Sequence, residues 1–350
     1  MNHRAKHLDG LRAVAMLAIC WDHWCPETWP RIFPFEVFLF FFLVMTGFLI
    51  TGSLLRERDR GEESGTRWKW RTMKVVQIRR GLRILAPYYV ALLVAALVMA
   101  PDVWRAPLAY LFHVSNIHIS FLGFWPHGTN HFWSLAMQQQ FYLVWPFVIW
   151  WTPRSALLWV ILAITAVGPL SRFFHDDIGR WLDCPWPQTL TWASLDYFGI
   201  GALFAWLRHR GMSLDSRLLK VVPLAGLLLY LLVFMTFIQG VRFLQQTFLS
   251  IALCGLIAWA IRGFPGWLGR FFETRWLQQV GEKSYGVYLY HNIAPLVAGK
   301  VFFFLWFGPF ADDGAIPLRL AGYALITWLL TRWSWKWIEM PLQKTRGKFR

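Results

Sequence analysis

Residues 131–151 read HFWSLAMQQQFYLVWPFVIWW, a stretch long and apolar enough to enter a bilayer, yet Gln138, Gln139 and Gln140 sit near its middle. A primary amide without a hydrogen-bond partner in hydrocarbon costs several kcal/mol, so three together require partners or a hydrated cavity. A lone helix in lipid offers neither. The stretch therefore predicts a bundle of helices with a polar interior.

The rest of the chain agrees. Of its 350 residues, 57% are hydrophobic and 18% aromatic while 15% are charged, a balance that soluble domains rarely show. The formal net charge of +16 raises the question of nucleic acid, but the basic residues cluster in short connections between long apolar runs, which membrane orientation explains better. Nucleic acid is not an expected partner; membrane lipid is. Cys20, Cys25, Cys184 and Cys254 show no CxxC or Cys/His metal spacing and read as structural, so no metal is expected. The N-terminal apolar stretch carries no small-residue cleavage pattern and reads as a retained first span.

Apolar windows of membrane-crossing length fall at about 9–26, 34–55, 84–101, 132–152, 155–172, 194–208, 220–239, 243–262, 284–308 and 316–338. The expected fold is an all-α integral membrane protein, a bundle of about ten transmembrane helices, with nine to eleven as the range because 194–208 is short and 106–124 could be re-entrant. The connection 56–83 carries ten Lys/Arg, and RHRGMSLDSRLLK, RGFPGWLGRFFETRWLQQVGEK and the tail QKTRGKFR are also basic, whereas HDDIGRWLDCPWPQ and FADDG are poorer in Lys/Arg. The positive-inside rule then puts both termini in the cytoplasm. No repeat or appended soluble segment is apparent, so residues 1–350 read as one membrane domain with 56–83 as its basic cytoplasmic connection.

Four polar faces stand out. Arg12 and His23 are eleven positions apart, which on a helix places them on one face about 16 Å apart along the axis. Either Arg12 snorkels to the headgroups and His23 bonds a carbonyl, or the two are an anion anchor and a proton acceptor, a role that suits His near neutral pH. Arg79, Arg80 and Arg83 precede the third apolar run with the i, i+4 spacing of a phosphate-binding fork, or of a stop held by anionic lipid. Ser134, Gln138, Tyr142 and Trp145 form one helical stripe, either lining a site or serving as interhelical glue. Ser284, Tyr288 and His291 share another intramembrane face. Four such faces in one small bundle point to a shared polar cavity. Trp125, His127, Trp181, Trp186 and Trp192 lie in predicted outer connections, where an interfacial aromatic belt explains them better than sugar stacking.

Six blocks in order, LDGLRAVAMLAICWDHW, FFFLVMTGFLITGSLL, IRRGLRILAPYY, FWSLAMQQQFYLVWP, LDYFGIGALFAWL and VGEKSYGVYLYHNIAP, resemble the membrane acyltransferase 3 family from about residue 8 to the IEMPLQK segment. The resemblance implies a membrane-bound O-acyltransferase of about ten spans with cytoplasmic termini, modifying surface polysaccharides, lipopolysaccharide or natural products. It implies that His23 is the catalytic base. Arg12, Arg79, Arg80 and Arg83 would hold an acyl-CoA donor, with acetyl-CoA the expected one, and no cofactor would be tightly bound. The family's WSL and SYxxYLxH blocks would give Trp133, Ser134, Gln138, Gln139, Tyr142, Ser284, Tyr285, Tyr288 and His291 to substrate or oxyanion support. The expected acceptor is a carbohydrate or glycoconjugate and the expected location the inner (cytoplasmic) membrane.

The chain departs from the family at three places. Gln138 and Gln139 stand where two glutamates are usual, Thr46 replaces a common Ser, and Phe40 stands where an Asp is usual. Loss of three carboxylates keeps a second class of reading open: an acyltransferase-like protein without catalysis, or a transporter of an anionic or sugar ligand.

Overall fold

The computed structural model describes residues 3–25, 36–65, 68–236, 239–305 and 316–346. The FADDG connection, the last four residues of the basic tail, and the window ends at 34–35 and 306–308 lie outside them. Among the described residues the secondary structure is helical, with no strand. The helices that matter here are α1 (His3–Trp24), α2 (Glu36–Ser64), α3 (Trp68–Leu97), α4 (Phe132–Trp151), α5 (Leu157–Phe173), α6 (Leu195–His209), α7 (Arg217–Thr236), α8 (Gln245–Arg262), α9 (Ser284–Tyr290), α10 (Ala294–Leu305) and α11 (Ile316–Ser334).

Helices lie in each of the ten predicted windows. By length and hydropathy alone, four of them, Val37–Ser64, Trp68–Leu97, Arg217–Thr236 and Gly240–Arg262, qualify as membrane spans, and Leu157–Phe173 with His175–Leu182, bent by 76°, is either a broken fifth span or a re-entrant pair. α4 falls short because its three glutamines lower its mean hydropathy, and α1 because it carries Arg, Lys and Asp. α7 is apolar all round and exposes Leu224, Leu228, Leu232 and Met235, as a lipid-facing helix does. The chain is a multi-pass helical membrane protein.

Two breaks bear on the site. The stretch 106–124 holds the short helices Pro107–Leu111 and Ser115–Ser120, and the window 284–308, expected as one span, holds two helices over its described residues, Ser284–Tyr290 and Ala294–Leu305, separated by a turn at 291–293. Pro295 explains the second break: it has no N–H for the carbonyl of His291, four residues back. That carbonyl accepts instead from Trp24 Nε1 of α1, at 2.8 Å.

Close packing sets the rest. Gly47 of α2 and Gly201 of α6 let the two backbones approach until an added Cβ would lie 2.8 Å from the Phe198 carbonyl carbon or the Phe48 nitrogen, respectively, which is the small-residue contact of membrane helices. Buried Arg58 of α2 donates to Ile149 O (2.6 Å) and Thr152 O (2.9 Å), capping the last turn of α4. One apolar core joins α1 to α8; a second joins α1, α3, α4 and α9, with Phe38 and Phe42 packed against both. The candidate site runs from the second core, which holds Tyr288, to the first, which holds Tyr142.

Candidate functional site

At the Trp24 end of α1, three histidines meet. His23 Nδ1 lies 2.8 Å from His291 Nε2, and the two rings stack with centroids 4.9 Å apart. His291 Nδ1 is 2.6 Å from Tyr288 O. His131, just before α4, packs its ring 5.0 Å from His291 and bonds Leu289 O at 3.1 Å through Nε2. His131 and His291 are buried, at 1% and 0% exposure, whereas His23 is exposed. Below them the hydroxyls of Ser134 and Tyr288 share a 2.6 Å hydrogen bond, and both reach His131 O, at 3.1 and 3.3 Å. Asn292 donates to Asn130, tying the break after α9 to the start of α4.

A second level lies toward the other end of α1. Arg12 Nη1 donates to Asp9 Oδ1 at 2.6 Å and its Nε lies 3.3 Å from Met45 Sδ. It is close enough to Arg83 and Tyr142 to interact with both electrostatically. Tyr142 is the hub of this level. The Arg80 guanidinium sits 5.4 Å over its ring and donates to its carbonyl at 3.4 Å, where Gln77 also donates at 3.3 Å. Arg79 is half-buried one turn before exposed Arg83. Tyr285 OH donates to Ile84 O at 2.8 Å and so docks α9 on α3 beside this cluster.

The glutamines divide between the two roles considered. Gln138 Oε1 accepts long hydrogen bonds from Thr46 (3.4 Å) and Tyr142 OH (3.5 Å), which places it between the histidine and arginine levels. Gln140 is helix glue: its amide donates to His113 O (2.9 Å) and Asn116 Oδ1 (2.8 Å), and its oxygen accepts from Thr191. Gln139 is half-buried and makes no side-chain hydrogen bond among the described residues. Trp145, at the end of the stripe, donates to Thr51 at 2.7 Å and is also glue. Trp133 points elsewhere, packing 6.2 Å from Trp125, which in turn meets Trp186 at 5.5 Å. Ser284 is buried at the start of α9, one turn before Tyr288.

Arg12, Arg80, Arg83, Gln138, Tyr142, Ser134, Tyr285, Tyr288, His291 and His23 thus follow one polar seam between α1, α3, α4 and α9. Its two levels can do different chemistry. The arginines can bind an anion, and the linked imidazoles can accept, hold and return a proton. Three contributors escaped the sequence reading. Asp9 was signalled by its i, i+3 spacing to Arg12. His131 was signalled only by standing one turn before Ser134. Glu339 had no local signal: it is buried in the π-helical turn Trp335–Glu339, accepts from Ser334 Oγ at 3.3 Å, and interacts electrostatically with Arg83 and Lys283. Carboxylates therefore do flank the arginine level, although Gln138 and Gln139 are neutral.

The profile of a family described as "Acyltransferase domain" matches residues 6–338. Among characterised sequences, the chain is 27% identical over 309 residues to the peptidoglycan O-acetyltransferase OatA of Listeria monocytogenes serovar 1/2a (strain ATCC BAA-679 / EGD-e), covering 81% of this chain and 48% of that protein. It is 27% identical over 370 residues to the O-acetyltransferase OatA of Staphylococcus aureus (strain NCTC 8325 / PS 47), covering 96% of this chain and 57% of that protein. The chain spans about half the length of the relatives it matches. No solved structure matches it significantly.

Proposed function

This chain belongs to the acyltransferase domain family, and from that premise we propose that it moves an acyl group, with acetyl the expected one, from cytoplasmic acyl-CoA to a hydroxyl of a surface carbohydrate or glycoconjugate. The observation that carries the reading is the two-level seam: on α1, Arg12 and His23 share a face, with arginines of α3 gathered at one level and His291 and His131 at the other. The names of the relatives support acetyl as the group, and one of them names peptidoglycan as its acceptor.

In this reading the chain is one domain of about ten spans in the inner membrane with both termini in the cytoplasm. Arg12, Arg79, Arg80 and Arg83 then face the side where acyl-CoA is made, and bind its phosphates. The separation of about 16 Å along α1 suits the extended pantetheine arm, which brings the thioester to His23. The acceptor oxygen attacks the thioester carbonyl carbon as His23 takes its proton. Hydroxyl donors lining the seam stabilise the oxyanion. The C–S bond then breaks, and the thiolate leaves with the proton returned by His23.

General-base catalysis contributes on the order of 10² to 10⁴-fold, so His23→Ala should lower transfer by at least roughly 10²-fold while leaving insertion intact. The test is acceptor-dependent release of CoA from labelled acetyl-CoA by membranes containing the protein, with bacterial surface glycans as acceptors. A correctly inserted His23→Ala protein that transfers at the wild-type rate refutes the assignment.

A further inference from the structure

We propose that His291 is a positioning residue that holds the His23 imidazole in the tautomer with its basic lone pair on Nε2, and that the break between α9 and α10 supplies the carbonyls that fix this arrangement. The inference rests on His23 being the general base and adds the device that orients it.

Main-chain carbonyls are obligate acceptors. A carbonyl oxygen has no proton to give, so His291 Nδ1, 2.6 Å from Tyr288 O, must carry one. Neutral His291 therefore has its lone pair on Nε2. That nitrogen faces His23 Nδ1 at 2.8 Å, so His23 Nδ1 must be the donor. Neutral His23 is left with its lone pair on Nε2, the nitrogen turned away from His291. The opposite assignment would need a charged His291, but this ring is 0% exposed and forms no ion pair with a described carboxylate, and an unpaired buried charge is costly.

The carbonyls are available because α9 stops. The last carbonyls of a helix lack intrahelical N–H partners. At the end of α9, Val287 O and Tyr290 O are met by the backbone N–H groups of His291 and Ile293, while Tyr288 O and Leu289 O are met by the imidazoles of His291 and His131. Pro295 cannot serve His291 O, and Trp24 takes that bond, anchoring the end of α1 next to His23. His131, fixed by Leu289 O, packs against the His291 ring. The other two rings packed against His291, those of His131 and Tyr288, are each hydrogen-bonded to main chain, at Leu289 O and His131 O. When His23 accepts a proton, its Nδ1–H bond to His291 persists and becomes charge-assisted, so no rearrangement accompanies the transfer.

Histidine ¹⁵N NMR of the intact protein in lipid nanodiscs reads the tautomer directly, with His23 assigned by the signal lost in His23→Ala. In the wild-type protein, Nδ1 of His23 should be pyrrole-type and Nε2 pyridine-type. In His291→Ala the two tautomers should mix, and kcat should fall roughly 10²-fold, the scale of a misoriented reacting group, with KM for acetyl-CoA little changed. His291→Gln, whose Oε1 can accept from His23 Nδ1, should restore part of both the tautomer and the rate. A wild-type spectrum with the proton on Nε2 overturns the proposal, as does wild-type kcat in inserted His291→Ala. If His291→Ala fails to insert, the wild-type spectrum and His291→Gln decide. An active His23→Ala removes the general-base reading itself, whereas an inactive His23→Ala beside a fully active His291→Ala removes only the positioning role.

Discussion

Consecutive positions on a helix point about 100° apart, and the three glutamines of α4 show what that does inside a membrane. Gln140 turns toward His113, Asn116 and Thr191 and is fully engaged in holding helices together. Gln138 turns into the seam, where two hydroxyls donate to its oxygen. A glutamine cannot titrate, but it donates and accepts, and a carboxylate would accept from the same two hydroxyls more strongly. Gln138→Glu should therefore leave transfer near normal or raise it, while Gln138→Leu should reduce turnover more than thermal stability in detergent. A Leu variant with normal turnover and a large stability loss would make Gln138 glue like its neighbour. Proximity of Gln138 to Tyr142 was readable from i, i+4 spacing; its contact with Thr46 of α2 was not, because that depends on how two distant segments pack.

Among elements, the joint between α5, α6 and α8 is specified by a buried ion pair. Arg172 pairs with Asp196 through two hydrogen bonds of 3.1 and 2.6 Å, donates to Ala193 O, Phe243 O and Thr247, and so uses its whole guanidinium fork. Thr247 also donates to Asp196 at 2.6 Å, and Asp196 is 0% exposed. Removing one member of such a pair leaves the other buried and charged, which costs about 3–5 kcal/mol. Asp196→Ala should lower the denaturation temperature accordingly, while the folded fraction keeps its turnover, since the joint lies outside the seam. An unchanged denaturation temperature would show that the pair is not a lock. Sequence could place Arg172 at the end of one apolar run and Asp196 at the start of another, but no periodicity relates them.

For the whole molecule, the donor and acceptor sides follow from orientation. The ten Lys/Arg of 56–83 and the basic connection around Ser213 should be cytoplasmic, and the connection around His127 external. Reporters fused at both termini and at Ser213 should score as cytoplasmic, and one inserted near His127 as external. The reverse pattern would put the arginine level on the side without acyl-CoA and defeat the proposed direction of transfer.

The sequence by itself determined that the chain is a helical membrane protein, because hydropathy and length act locally, and that Arg12 and His23 share a face, because helix geometry is fixed within one segment. The same locality made Ser134, Gln138 and Tyr142 a legible stripe. Tertiary structure alone decided which stripes meet. His131 joined His23 and His291 because three helix ends converge there, Glu339 approached Arg83 from the far end of the chain, and Trp133 turned toward Trp125 instead of the seam. Pro295 interrupts the ninth window, which read as a single span in the sequence, and only packing could place Trp24 against the carbonyl it left open.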